Sequence, residues 1–231
     1  MQNNEVRFEI IHMPPENTNS VLVSHGTDAV IFDAWGRADD WIKLLDGRGL
    51  KLRAIYATHG HSDHISAAPD LAAYYDIPWY MNHRDLGLIT WGNMLLTFFD
   101  MPQIPDDFRR PTDLTDGTYE ILSGVKMVAV SAAGHSAGGM IFYFPNFGIL
   151  LVGDTLFRDG CGRWDLPTGD ECTLRKTIEK IKDMNLPDET YVVHGHGVDS
   201  TIEILKKSNP YFGGCDHHCC CHHCDGDCGC K

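Results

Sequence analysis

Basic side chains are scarce in this sequence. The 19 lysines and arginines stand against 32 aspartates and glutamates, a formal net charge of -13, so nothing draws the chain generally toward phosphate backbones or anionic membranes. Nucleic acid is a disfavoured substrate on that ground, although bound divalent cations would cancel part of the negative charge locally. Long apolar runs are missing too. No stretch is long and apolar enough to cross a bilayer, and Met1-Gln2-Asn3-Asn4-Glu5 lacks the basic start and apolar core of a secretory leader. A cytoplasmic protein with no membrane association is the expectation, and its oligomeric state stays open. Cysteine is nearly absent from the body of the chain: Cys161 and Cys172 alone precede residue 214. That excludes a disulfide-framed core, and at 231 residues the chain can bury a sufficient core without cross-links.

What is present reads as strands separated by amphipathic helices. Val6–Ile11, Ser20–Ser24, Ala29–Phe32 and Arg53–Ala57 have strand composition, while Ala38–Leu45 and Ile65–Tyr75 repeat apolar residues at helical intervals. Tyr119–Leu122, Val125–Val130, Met140–Phe144 and Gly148–Val152 follow as strands, with Ser123-Gly124 and Pro145-Asn146 as turn chemistry between neighbours. A helix around Thr173–Met184, a strand Thr190–Val193 and a helix around Ser200–Ser208, ended by Asn209-Pro210, complete the pattern. Strand-rich halves each closed by helices predict an α+β fold, a four-layer α/β/β/α sandwich with its site at the strand ends. Leu86–Arg110 reads two ways: a helix and loop completing the core, or an aromatic wall beside a pocket through Trp91, Phe98 and Phe99.

The densest chemistry lies in Thr58-His59-Gly60-His61-Ser62-Asp63-His64. His59, His61, Asp63 and His64 supply imidazole and carboxylate donors suited to zinc, iron or manganese, and their spacing lets one segment between strand and helix serve two neighbouring ions. Each candidate also has a plainer role. Asp63 suits the N-cap of the following helix, His135 among glycines and serines suits a turn, and Asp154 suits a strand end.

The pattern Thr-His-x-His-x-Asp-His resembles the defining motif of the metallo-β-lactamase superfamily of hydrolases, and three further segments follow in the family's order. Gly134-His135-Ser136-Ala137-Gly138, Gly153-Asp154-Thr155-Leu156-Phe157 and Gly195-His196-Gly197 look like its later metal motifs. The similarity runs from about Asn17 to Phe212. It is strongest to the short glyoxalase II-like (hydroxyacylglutathione hydrolase-like) group, through Gly162-Arg163, Asp165-Leu166, Leu186-Pro187-Asp188-Glu189-Thr190 and Asn209-Pro210-Tyr211. The resemblance implies two divalent metal ions about 3.5 Å apart, with zinc expected first and iron or manganese as alternatives. His59, His61 and His135 would hold one ion; Asp63, His64 and His196 the other; Asp154 would bridge them, with Asp63 and Asp154 as the catalytic carboxylates. A metal-bridging hydroxide would then attack a small-molecule thioester or ester, with S-lactoylglutathione as the first guess.

Other side chains are weighed beside this set. Asp33, at a strand end, resembles a family position whose carboxylate orients a ligand histidine; a solvated strand-end acid is the alternative. His194 competes with His196 in Val193-His194-Gly195-His196-Gly197, and motif alignment selects His196. Arg163 and Asp165 stand near the bridging aspartate, where a structural salt bridge competes with contact to substrate. Two segments are expected: a hydrolase domain over residues 1–212, and a tail over residues 213–231. The tail stands where full-length glyoxalase II proteins carry a helical region that supplies glutathione contacts, so the resemblance implies a hydrolase without implying those contacts. Its donors are Cys215, His217, His218, Cys219, Cys220, Cys221, His222, His223, Cys224, Cys228 and Cys230, a set that favours an additional soft metal over disulfides in a reducing compartment. The competing functions are an iron-dependent persulfide dioxygenase, a lactone or ester hydrolase, and a non-enzymatic metal-handling protein acting through the tail.

Overall fold

In the computed structural model, which describes residues 5–15 and 18–213, side-chain alternation along the strands divides the apolar residues between three cores. Strands β1 (Val6–Ile11), β2 (Ser20–His25), β3 (Asp28–Phe32), β4 (Lys51–Tyr56), β5 (Trp79–Met81) and β6 (Thr112–Asp113) form one sheet in that order. The first three are antiparallel; β3 through β6 run parallel. Val21, Val23, Val30 and Phe32 point to one face, and Leu22, Ala29 and Ile31 to the other, as the two-residue period of a strand requires. A bulge where Ala29-Val30 pairs with β4 shifts the register. Leu52 and Ala54 therefore fall in different cores although a regular strand would place them on one face.

The second sheet has the order β14-β13-β10-β9-β8-β7, built from β7 (Gly117–Leu122), β8 (Val125–Ser131), β9 (Met140–Phe144), β10 (Ile149–Gly153), β13 (Tyr191–His194) and β14 (Ser200–Thr201). The pair β10 and β13 is parallel and the others are antiparallel. Met127, Phe142, Phe144, Leu151 and Val193 meet Val21, Val23, Val30 and Phe32 between the sheets. The outer face of the first sheet is covered by α1 (Ala38–Arg48), α3 (Ala68–Tyr74) and α4 (Leu86–Phe98), through residues that include Trp41, Leu45, Leu71, Ile89 and Leu96. The outer face of the second is covered by α5 (Glu171–Asp183) and α6 (Ile202–Ser208), through Leu174, Ile178, Ile181, Ile202 and Leu205. The result is the expected four-layer α/β/β/α sandwich.

Local differences from the sequence expectation have identifiable causes. The predicted helix Ile65–Tyr75 is two helices, α2 (Ser62–Ile65) and α3; Pro69, in the first turn of α3, lacks the N–H that would continue one helix from the other. Asp63 consequently lies inside α2, whose N-cap is His61, and caps nothing. Strand β5 is three residues long, too short to carry a period that marks it in the sequence. Ser200-Thr201 pairs with β13 as β14, and the Thr201 side chain then caps α6 by accepting from Ile204 N. In the middle segment α4 is a helix with half its apolar residues inward, yet Met94 and Phe98 are 70% and 82% exposed, so neither single reading of Leu86–Arg110 suffices. A two-stranded ribbon, β11 (Leu156–Phe157) and β12 (Gly160–Cys161), stands at the site. Among the described residues no helix is long and apolar enough to cross a membrane. The tail donors from Cys215 onward lie outside the described residues.

Candidate metal centre

Parallel strands send their C-terminal ends the same way, so the segments that follow β3, β4, β10 and β13 converge at one end of the sandwich. They deliver Asp33, Thr58 to His61, Asp154 and His196 respectively; α2 adds Asp63 and His64, and the turn after β8 adds His135. Three overlapping groups result, with donor atoms within 4.8 Å of one another: His59, His61 and His135; His59, His64 and Asp154; Asp63, His64 and His196. His61 Nδ1 lies 2.9 Å from His135 Nε2, which lies 3.3 Å from His59 Nε2. Asp154 stands between the groups, with Oδ1 3.4 Å from His64 Nε2 and Oδ2 3.7 Å from His135 Nε2 and 3.6 Å from His196 Nε2. Asp63 Oδ2 is 3.1 Å from His196 Nε2.

The far side of each ring is fixed by a specific acceptor. Thr58 donates from N and Oγ1 to the two oxygens of Asp33, at 2.7 and 2.8 Å. His64 Nδ1 donates to the same Asp33 Oδ2 at 2.9 Å, and His59 Nδ1 donates to Thr58 Oγ1 at 3.0 Å. His135 Nδ1 donates to the Arg163 carbonyl at 2.7 Å. With the Nδ1 proton directed outward, Nε2 of His59, His64 and His135 is turned toward the centre, where a cation that displaced any second proton would find a lone pair. Asp33 can hold this position because it turns out of β3 with φ 54°, a left-handed conformation that aspartate tolerates better than most residues.

Burial and charge act oppositely on these groups. Burial, reinforced by the neighbouring imidazoles, holds His59 well below the ordinary histidine range and His61 down at about 4. Burial also pushes on His64, but Asp33, Asp63 and Asp154 together carry it well above its usual value. Asp154 and Asp63 resist burial through their histidine partners and stay below the carboxylate range. His64 Nε2 and Asp154 Oδ1 are buried with no hydrogen-bond partner, and unpaired buried donors and acceptors are uncommon without a reason. A set of convergent imidazole lone pairs and ionised carboxylates fits a pair of divalent cations, which would satisfy those atoms.

Gly195 is required by the same crowding: a Cβ there would stand 2.0 Å from Asp154 Oδ1. His194, one residue before, points away from the centre. It hydrogen-bonds the Leu156 carbonyl at 2.6 Å and Ser200 Oγ at 2.8 Å, and burial holds it down at about 4. Arg163 and Asp165 pair with each other on the surface at 2.9 Å, leaving the Arg163 carbonyl, not its side chain, in touch with the site. Asp85 was not singled out from sequence. Completely buried, it accepts from Gly60 N, Gly138 N and Ser136 Oγ at 2.9, 2.6 and 2.7 Å, lashing the first histidine segment to the turn that carries His135. No spacing signal marks it, because its partners lie 25 to 53 residues away. The Trp91 ring lies 5.9 Å from that of His61, and on the opposite side Phe157, Arg158, Asp159, Gly160 and Val198 line an open cleft with His196.

Comparison with known proteins agrees with this geometry. Residues 13–196 match the family model described as the metallo-beta-lactamase superfamily. A Haemophilus influenzae protein named hydroxyacylglutathione hydrolase GloC is 30% identical over 209 residues, covering 90% of this chain and 98% of that protein. The solved structure of the BLEG-1 B3 metallo-beta-lactamase superposes with a TM-score of 0.80 at 28% identity, covering 90% of this chain and 100% of that one. TTHA1623, solved in a di-iron-bound form, gives 0.77 at 29% identity, covering 88% and 99%.

Proposed function

The chain belongs to the metallo-beta-lactamase superfamily, and from that premise we propose that it is a dinuclear metal-dependent hydrolase of small acyl thioesters of the S-acyl glutathione type. The completeness of the donor set carries the hydrolytic reading. His59, His61 and His135 are assigned to one cation, Asp63, His64 and His196 to the other, and Asp154 to both, because its two oxygens face donors of both groups. Bound there, divalent cations would acidify a water and polarise a carbonyl.

The protein's own part is positioning. Asp33 and Thr58 fix the tautomers of His64 and His59, so no reorganisation is needed during turnover. Asp63 and Asp154 would hold the cations together with His64 and His196, and would bring negative charge to the same side of the centre. Trp91 offers an apolar wall on the His61 side for the acyl group, while Arg158 beside His196 offers a cation to an anionic thiol carrier. The name of the Haemophilus influenzae relative supports the thioester choice; among the described residues the convergent groups hold histidine and aspartate with no cysteine, which supports water as the nucleophile.

The test is anaerobic purification with metal quantification, followed by a panel of thioesters, lactones, β-lactams and phosphodiesters. Two equivalents of zinc, iron or manganese in the histidine–aspartate centre and fastest turnover on S-acyl glutathione are expected. Turnover confined to lactones or β-lactams would replace the substrate but keep the hydrolase. Oxygen uptake with glutathione persulfide, without thioester cleavage, would replace hydrolysis by dioxygenation.

A further inference from the structure

One wall of the cleft beside the metal centre is a ribbon too short to hold itself. Leu156 pairs with Cys161 and Phe157 with Gly160, so Arg158-Asp159 is the loop between β11 and β12. Isolated two-stranded hairpins are marginal in water even when they are longer. A two-residue loop closes best in the mirror-image turns, which require positive φ and follow the twist of the strands; neither Arg158 nor Asp159 has a positive φ. Yet this ribbon faces His196, Gly197 and Val198 across a cleft of about 560 Å³, and Arg158 brings a guanidinium to its lining.

The tie comes from the C-terminal end of the fold. Asn209, 1% exposed, ends α6 with its N bonded to the Leu205 carbonyl at 3.1 Å, and Pro210 after it cannot continue the helix. Asn209 Oδ1 accepts from Tyr211 N and Phe212 N at 2.7 and 3.0 Å. That turns Nδ2 to the ribbon, where it donates to the carbonyls of Phe157 and Gly160 at 2.7 and 2.8 Å, with the Arg158 carbonyl at 3.4 Å. Donors gather on one side of the amide and acceptors on the other, so a single orientation satisfies them all. Tyr211 adds a side-chain hydrogen bond to Cys161, at the end of β12. One amide group thus holds both ends of a loop that precedes it by about 50 residues.

We infer that Asn209 is a positioning residue of the substrate cleft: by bonding the carbonyls on either side of Arg158-Asp159 it sets where the Arg158 guanidinium stands relative to His196, and so sets the affinity for an anionic thiol carrier. Asn209 belongs to none of the donor groups of the centre and acts through the ribbon alone. Without its Nδ2 the two carbonyls turn to water and the loop must be ordered anew each time a ligand binds, a cost that appears in affinity. The carrier is that of the proposed function, on which the inference rests, but the test reads binding without turnover.

The experiment is calorimetric titration of S-methylglutathione, a thioether that cannot be hydrolysed, into the fully metallated natural chain, Asn209→Ser, Arg158→Gln and the double variant. Serine keeps an oxygen acceptor for Tyr211 N and Phe212 N but is too short to reach the ribbon. Asn209→Ser should keep both cations and bind about tenfold more weakly or worse, the worth of one charge-assisted hydrogen bond. KM for S-acyl glutathione should rise by a similar factor while kcat stays within about twofold. In the Arg158→Gln background the same change should cost little further, because two residues acting through one contact do not add. Unchanged binding in Asn209→Ser, an equal loss in both backgrounds, or no binding to the natural chain overturns the inference. A measurement on the natural chain guards against a variant that does not fold. Hydrogen exchange at Tyr211 N and Phe212 N should slow together with residues 156–161 when S-methylglutathione binds, while β1 and β2 stay unchanged; no slowing at Tyr211 and Phe212 overturns the inference as well. Binding that Asn209→Ser weakens, in a loaded protein that cleaves no thioester, supports the inference and overturns the hydrolase reading alone.

Discussion

Replacing Asp33 by asparagine is the sharpest perturbation of the metal centre, because it changes one atom and leaves shape intact. Asp33 Oδ2 accepts two bonds, from Thr58 Oγ1 at 2.8 Å and His64 Nδ1 at 2.9 Å, while Oδ1 accepts from Thr58 N at 2.7 Å. An asparagine keeps the acceptor toward Thr58 N but puts an NH2 group where Oδ2 was. His64 then has two choices. It keeps its proton on Nδ1 and faces a donor with a donor, a buried mismatch of about 1–3 kcal/mol; or it moves the proton to Nε2 and can no longer bind a cation there. Either way the affinity of the site that His64 serves should fall about 10–100-fold, equivalent to about 1.4–2.7 kcal/mol. The assay is metal content after dialysis against graded chelator buffers, with circular dichroism to show that the variant is folded. One cation should be lost well before the other, and thioesterase activity should fall with it. A folded Asp33→Asn protein that retains both cations at natural affinity would refute the tautomer argument.

Further outcomes follow from the same geometry. His196→Ala should lose one cation and most activity, whereas His194→Ala should keep the metals and lose stability; metal analysis showing the reverse would exchange their roles. Gly195→Ala places a methyl 2.0 Å from Asp154 Oδ1 and should displace that carboxylate, lowering both metal content and kcat, while Gly197→Ala, whose Cβ meets nothing, should leave metal content intact despite its strained φ. His194 is held at about 4 by burial against 6.5 when unfolded. The unfolded chain therefore takes up a proton first as pH falls, so stability is full above about 6.5 and is lost progressively toward pH 4, by roughly 3 kcal/mol at full extent. Urea unfolding of the natural chain and His194→Gln at pH 7 and pH 5 should show the natural protein losing more; equal losses would dismiss the assignment. Trp91→Ala should raise KM for thioesters with bulky apolar acyl groups more than for acetyl, with kcat nearly unchanged, in steady-state kinetics.

The sequence by itself determined the layered architecture and the identity of the converging donors. Alternation in segments such as Val21-Leu22-Val23 and Val30-Ile31-Phe32 assigns each strand two buried faces, and only sheets covered on both sides bury both. The run from His59 to His64, with His135, Asp154 and His196 behind it, names a donor set because short motifs in a fixed order constrain residues one by one. Tertiary structure alone decided what depends on distant chain segments meeting. Asp85 shows no local period or motif, yet it lashes two donor-bearing segments together, and of the two sequence readings of the middle segment only the fold sets the Trp91 ring beside His61. The same holds for the choice among plainer roles. Asp63 stands in the first turn of a helix, where capping and ligation look alike in sequence; only the position of His196 Nε2 across the centre, 3.1 Å from Asp63 Oδ2, favours ligation. His194 and His196 are two residues apart and would share one face of a continuous strand; β13 ends at His194, which stays in the core, and His196 lies in the segment beyond, facing Asp63 and Asp154, so the distinction depends on where β13 stops against β10 and β14.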